Sequence, residues 1–553
     1  MSRLRIILVL CAWSLWMVPA LAKTYYVHSK CGNDNNSGMK KSTPFRSLEK
    51  VNALALKPGD KILLANGCTF QGTLELSNQS GTAKRAIIIS AYQSDASDKK
   101  QRPIIDAKGY LNGLLIQNCS HIQVSDLEII ANGGSVTNYS TEKRYMRCGV
   151  LVSTSSPGQY KNIKLHNLLV KDVYFEKDGF QRGQNEVKTA NGSQNYGWGI
   201  RFINQTKGAV LSDLTVESCE IQNVAHTGLK FTGKEKSIHT IKVYNNLVTD
   251  TGGPGIQMSG VHQGHVKGNT IMRSGSSNDS RKWGRGSGLW TWGCSNVIIE
   301  HNRFKNANGP GDSAGCHIDY NCSNVIVQYN LSANNAGGFC EILGNNHNCA
   351  YRYNISVNDG HRIKGKNGAF QEGKIVWLSG YQGQKKRSGP FNSYIYNNTI
   401  YVNKDIEAKI AVDKVSAGVL MANNIFCITG KSKAVLGDQY KPEKEGQSQV
   451  KDIVFQNNLY LHKENWPVDV LIQDEQPIWG DPQFVKAGGT QLDDYQPLNT
   501  ALIKDKGIVI RPLPHDSIGL FIGLEVEQDI LGNPRKGLPD MGAIELDLTG
   551  KKQ

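Results

Sequence analysis

One pattern recurs down the chain: a short stretch of alternating apolar and polar residues, an asparagine, then apolar residues again. It reads VYNNLV at Val243–Val248, HVKGNTI at His265–Ile271, NVIIEHNRF at Asn296–Phe304 and NVIVQYNLS at Asn324–Ser332. It continues as NCAYRYNIS at Asn348–Ser356, YIYNNTI at Tyr394–Ile400, VLMANNIF at Val419–Phe426 and IVFQNNLY at Ile453–Tyr460. Alternation with a period of two predicts strands with one buried face. The marker asparagines are Asn246, Asn269, Asn302, Asn330, Asn354, Asn398, Asn424 and Asn458, spaced by 23, 33, 28, 24, 44, 26 and 34 residues. A basic unit with loops inserted at variable points is the signature of a parallel β-solenoid, three short strands to a coil. An asparagine amide both donates and accepts hydrogen bonds, so a column of them can bond up and down the stack. Asparagine also tolerates the left-handed backbone of a tight corner. These asparagines are therefore expected to hold the coils together rather than to perform chemistry.

The segments around this repeat suggest how the stack begins and ends. Residues 23–110 read as a cap and the first coils, including an amphipathic helix around Leu48–Leu56 and an early strand at Ile87–Tyr92. Further coils at Leu114–Ile130 and Gly149–Val170 open a central region, 111–465, and residues 466–553 form a closing segment with Asp529–Arg535 and Asp540–Glu545. A helix over the first coil would cover an edge that otherwise recruits other chains. These terminal segments resemble those of secreted right-handed parallel β-helix carbohydrate-active enzymes, a group rich in polysaccharide lyases and glycoside hydrolases. The resemblance implies an all-β fold, a right-handed parallel β-helix with an amino-terminal capping helix and long inserted loops. Three polar insertions, Glu176–Tyr196, Ser274–Gly286 and Gly365–Ser388, flank one stretch and predict a cleft there.

Residues 1–22 read as a cleaved signal: Arg3 and Arg5, an apolar run at Ile6–Leu15, then Ala20-Leu21-Ala22. The run is too short to span a membrane and nothing later reaches that length. Secretion, or release into the periplasm of a Gram-negative bacterium, is expected. The net charge is +15 and the signal contributes only two of the basic residues. For an exported protein this excess favours an acidic polysaccharide over nucleic acid as partner, with the chain expected to act as a monomer. Of 12 cysteines one, Cys11, leaves with the signal. The odd remainder and irregular spacing argue against a disulfide framework, although Cys31 and Cys68 are placed to pair near the amino end. Several others, including Cys119, Cys219, Cys316, Cys340 and Cys349, fall at strand positions where cysteine serves as a small hydrophobe.

Candidate chemistry concentrates between Gly286 and Lys364, in GLWTWG, GPGDSAGCHIDYN, GGFCEILGNN and NDGHRIKG. Aligning the asparagine markers sets Cys316 above Cys340, His317 above Glu341 and Ile318 above Ile342. Alternation then turns the isoleucines inward and His317, Glu341 and Asp319 outward. The same register brings Arg201, Lys230, Gln257 and Trp290 into one outward row. That row is cationic, then aromatic, then acid–base, and Trp290 and Trp292 share a face suited to stacking on sugar rings. Catalysis is assigned to His317, Glu341, Asp319 and Arg362, substrate binding to Arg201, Lys230, Trp290, Trp292 and Lys364.

Two reactions suit such a row. In β-elimination from a uronic-acid-containing or sulfated polysaccharide, His317 is the base. Lys230, Arg362 or Lys364, or a Ca²⁺ held by Asp312, Asp319 and Glu341, neutralises the substrate carboxylate. In hydrolysis, Asp319 with Glu341 or Asp312 with Asp319 forms the carboxyl pair. The stretch Asn334–Asn354 with downstream Arg362 is similar to a motif region of the chondroitinase B and alginate lyase family. That resemblance implies a calcium-binding role for Glu341 and substrate binding by Arg362. The chain departs from the family in having Asn345, Asn346 and His347 where the family places its catalytic lysine. Elimination is the favoured expectation, hydrolysis the alternative, and a surface β-helix that binds glycans without cleaving them the third reading.

Overall fold

The computed structural model describes residues 21–94, 101–132, 147–174, 196–275, 284–438, 441–442, 452–467 and 473–546. The proposed signal lies outside these except for Leu21 and Ala22, as do most of the insertion Glu176–Tyr196 and the middle of Ser274–Gly286. The chain winds into a right-handed parallel β-helix, its described residues forming three long sheets with 14, 13 and 14 strands. One coil passes in turn through Leu229–Gly233 of the 13-stranded sheet, Ile238–Tyr244 of one 14-stranded sheet and Leu247–Thr251 of the other. Inward side chains stack on their counterparts in the next coil, as Phe202 does on Phe231 at 4.9 Å between ring centroids.

The asparagine column forms as the sequence predicts. From Asn246 to Asn458 each marker amide donates to the carboxamide oxygen of the next at 2.8–3.0 Å. The last amide donates to Asp474 at 2.7 Å. The left-handed backbone falls one residue earlier than expected, at Asn245, Gly268, His301, Tyr329, Tyr353, Asn397, Asn423 and Asn457. The corner turns there, which leaves each marker residue free to point its amide into the stack.

The amino-terminal helix is shorter than expected, Leu48–Asn52, capped by Ser47 whose hydroxyl accepts from the Lys50 N–H at 3.2 Å. It buries Leu48 and Val51. Asn52 then does for the first strand of the 13-stranded sheet, Leu74–Ser77, what a neighbouring strand would do. Its side chain accepts from the Glu75 N–H at 2.9 Å and donates to the Thr73 carbonyl at 2.8 Å. Cys31 and Cys68 are not joined: both are free, and the Cys68 sulfur lies 3.4 Å from Nδ1 of His28. The carboxyl-terminal segment runs along the flank of the stack rather than merely sealing its end. It covers outward tyrosines, with Tyr329 donating to the Gln528 carbonyl at 2.9 Å and Tyr396 to that of Leu524 at 2.7 Å. Among the described residues no helix is long and apolar enough to cross a membrane, which leaves β-barrels unaddressed.

Candidate active site

The outward row on the 13-stranded sheet has the predicted register. Arg201 pairs with Lys230, Lys230 with Gln257, Gln257 with Trp290 and Trp290 with His317. Ile318 pairs with Ile342, which sets His317 beside Glu341, and Glu341 continues to Trp377. Each step is one rung, about 4.8 Å. Two small apolar clusters bracket the polar centre of this face: Leu151, Trp198 and Ile203 at one end, Leu343, Trp377 and Ala411 at the other.

What the register did not predict is burial. His317 and Glu341 are 1% and 6% exposed, and the expected open tryptophan pair is split, with Trp290 at 4% and Trp292 at 40%. Trp290 packs edge-on against His317 with centroids 5.3 Å apart, while Trp292 leans on Tyr320 at 5.0 Å. Nδ1 of His317 lies 3.0 Å from the Ser287 hydroxyl and 3.9 Å from Oε2 of Glu341. Burial pushes the His317 imidazole down to about 4, against the pull of Asp312. Burial, reinforced by the negative charge of Asp312, pushes the Glu341 carboxyl well above the usual carboxylate range. Burial thus disfavours the charged form of both members of the pair and weakens His317 as a base.

Asp312 is the charged carboxylate of the group. It sits on a turn with two successive left-handed residues, itself at φ 44° and Ser313 at φ 62°. The Ser313 hydroxyl locks the turn, accepting from the Gly309 N–H and donating to the Gly311 carbonyl, both at 2.7 Å. Arg285 donates to Oδ1 of Asp312 at 2.5 Å, and the Gln371 amide also donates to Oδ1 at 3.3 Å. Burial works to raise this carboxyl, but Arg285, with His317, Gln371 and Arg362, holds it below its usual range. Its other oxygen, Oδ2, is buried with no hydrogen-bond partner among the described residues. The turn depends on Gly337: a Cβ there would stand 1.7 Å from the Asp312 carbonyl oxygen. Asp319, partly exposed, accepts from the Tyr320 N–H at 2.7 Å. Burial first, then Asp312, push its carboxyl up to about 7, against the Tyr320 N–H and Arg285.

Three sequence assignments change. Arg362 is buried, and its guanidinium donates to the Gln371 carbonyl at 2.8 Å and to the Gly309 carbonyl at 3.0 Å, so it braces the loop that carries Asp312. Lys364 is exposed, and its backbone N–H donates to Glu372 at 3.0 Å on the same loop. Among the described residues no three His, Cys, Asp or Glu side chains gather in a way that could hold a metal. Asp312, Asp319 and Glu341 therefore do not fit the calcium set, and no step is routed through an ion. Arg285, Ser287, Gln371 and Lys374 were missed. Arg285 lies in an insertion flagged as cleft-forming, as does Lys374, whose positive charge opposes the rise of the Glu341 carboxyl, but such partners are not readable from a linear sequence.

The fold has counterparts among known proteins. Residues 181–364 match the family described as "Right handed beta helix region". A lacto-N-biosidase of Bifidobacterium longum subsp. longum is 24% identical over 627 residues, covering 95% of this chain. The chain spans 36% of that relative's length. The crystal structure of a GH136 lacto-N-biosidase from Eubacterium ramulus superposes with a TM-score of 0.53 at 21% identity, covering 75% of this chain and 67% of the other. Its selenomethionine derivative gives 0.51 at 20% identity, with the same coverage. These structural likenesses establish the shared β-helix.

Proposed function

We propose that the protein is a glycoside hydrolase acting on a glycan outside the cytoplasm, with Asp312 and Asp319 as its carboxyl pair. The observation that carries this reading is the opposed protonation of two neighbouring carboxyl groups. Asp312 is held below its usual range with one oxygen unpartnered among the described residues, and Asp319 is pushed up to about 7. Pairs whose surroundings drive their proton affinities apart are how one site supplies both an acid and a base or nucleophile. Asp319 protonates the departing glycosidic oxygen. Asp312 places its negative charge against the oxocarbenium-like centre that develops at the anomeric carbon. A water molecule adds there to form the new C–O bond, and the proton it releases restores the acid form of Asp319. The raised proton affinity of Glu341 limits the negative charge it sets beside Asp312. Trp292 and Tyr320, at the open side of Asp319, offer aromatic faces to a sugar ring.

Similarity to lacto-N-biosidases supports hydrolysis over elimination. Export is supported by the signal-like amino terminus. The test is to incubate the protein with a panel of glycans while following new reducing ends and absorbance near 235 nm. Reducing ends without absorbance, abolished by Asp312→Asn and by Asp319→Asn, are expected. Absorbance growing in step with cleavage would overturn the assignment in favour of elimination.

A further inference from the structure

The loop that brings Gln371 to Asp312 also forms the wall of a cavity. Gln371 donates to Asp312, whereas the next residue, Glu372, contacts Lys409 on the strand Ala408–Val412. Beyond Glu372 lies an open-sided cavity of about 470 Å³, within the range of small-molecule sites. It sits on the same outward face as the carboxyl groups. Glu341 pairs with Trp377, Trp377 with Ala411 and Ala411 with Val435, and Val435 lines the cavity. It also lies toward the edge of the sheet that carries Asp312. Ala314 pairs with Gly338 and Gly338 with Lys374, two rungs or roughly 10 Å in all. Asp312 and Glu372 precede Ala314 and Lys374 by two residues each. Two large apolar side chains of the connecting loop stay exposed. Phe370, at 37%, stands beside Gly311 and Arg285, and Ile363, at 53%, lines the cavity itself.

The lining sets both kinds of hydrogen-bonding group around an apolar patch. Lys409 and Lys433, cross-strand partners, present donors, while Glu372, Asp405 and Glu407 present acceptors. Ile406 and Val435 add apolar surface. Lys409 is already matched by Glu372 and, at 3.8 Å, by Glu407. His361, held below its usual value mainly by desolvation, adds no third cation at neutral pH. Three carboxylates against two ammonium groups give an anion no net attraction. The carboxylates do not converge on a cation either: among the described residues no three His, Cys, Asp or Glu side chains gather to hold a metal. A sugar unit suits such a lining. Each of its hydroxyls needs a donor or an acceptor once out of water, and its C–H faces need apolar contact.

We propose that this cavity is a remote subsite for an uncharged, hydroxyl-bearing sugar unit of the chain that enters the Asp312–Asp319 site. The subsite rests on the hydrolase reading of that site. The chain passes over Phe370 and Ile363, and the far unit hydrogen-bonds to Lys433 and to the carboxylates of Glu372 and Glu407. The protein thus engages several consecutive units, and longer chains bind better than short ones.

The test is calorimetric binding to the full chain carrying Asp319→Asn, so that the probe is not consumed. Probes are dimer-to-octamer ladders of oligosaccharides from xylan, chitin, cellulose and galactan, with oligogalacturonates as the charged comparison. In at least one neutral ladder, affinity is expected to step up about tenfold when the chain becomes long enough to reach the cavity, the scale of one or two hydrogen bonds. Val435→Trp fills the cavity and should erase the step while leaving the affinity of the dimer unchanged. Lys433→Ala, at an exposed position that folding does not depend on, should shrink it. No step in any neutral ladder, a step that survives both variants, or a larger step for oligogalacturonates overturns the subsite as proposed. Reducing-end release by the unmutated protein on the same ladders reports the reaction separately. Hydrolysis without a length step sinks only the subsite, and a length step without hydrolysis sinks only the proposed reaction.

Discussion

Nδ1 of His317 and Oε2 of Glu341 lie 3.9 Å apart on adjacent rungs, and both side chains are largely buried. In the open such a pair would ionise into an imidazolium and a carboxylate. Here burial drives the two groups in the directions that leave both uncharged. Glu341→Gln preserves the shape and the hydrogen-bond donor of a protonated glutamate, so it should retain at least about a third of the turnover. Glu341→Leu removes the donor and should lose on the order of tenfold or more, the scale of one buried hydrogen bond. Steady-state rates of the two variants check this.

Asp319 as the acid sets the alkaline limb of the pH profile. Its proton is present below about 7 and is lost above, so turnover should fall as pH rises through that value. Asp319→Asn should abolish the limb along with at least about a hundredfold of the rate. Stability moves with the same sign. A carboxyl whose folded value is raised above its unfolded one costs nothing in acid and destabilises the fold as pH rises. The melting temperature of Asp319→Asn should therefore exceed the parent's by more at pH 8 than at pH 5.

Arg285 keeps Asp312 ionised across a contact of 2.5 Å. Arg285→Met removes that support, and the Asp312 carboxyl should hold its proton to higher pH. The acid limb of the profile then moves upward while the alkaline limb stays, a pattern that a general loss of folding would not produce.

Gly337→Ala tests the turn that aims Asp312. The added carbon would stand 1.7 Å from the Asp312 carbonyl oxygen, so the backbone at Asp312–Ser313 must shift. A displacement of that kind should cost activity on the order of a hundredfold, with binding of the glycan reduced far less. Equal losses in both would place the damage elsewhere.

The asparagine column can be tested away from the site. Asn330 donates to Asn354 and to the Ile299 carbonyl, and accepts from the amide of Asn302. Asn330→Leu leaves these buried groups unmatched and should lower stability by about 1–3 kcal/mol, read from denaturant unfolding.

Particular residues divide what was legible from what was not. The coil, its register and the outward row from Arg201 to Glu341 were readable because a parallel stack repeats a local pattern. A period of two and a marker asparagine per coil set which side chains become neighbours and which way they point. His317 beside Glu341 follows from counting alone. Burial, charge and aim were not readable, because they come from segments that the winding of the chain brings in from a distance. Arg285 and Gln371 reach Asp312 across 27 and 59 residues, and no periodicity announces either contact. Arg362, one coil beyond Glu341, donates to the backbone carbonyls of Gln371 and Gly309, contacts that its place in the repeat does not announce. Repetition along the chain therefore settles the scaffold, whereas the proton affinities of Asp312, Asp319 and Glu341 exist only once loops close over the sheet and replace water with specific neighbours.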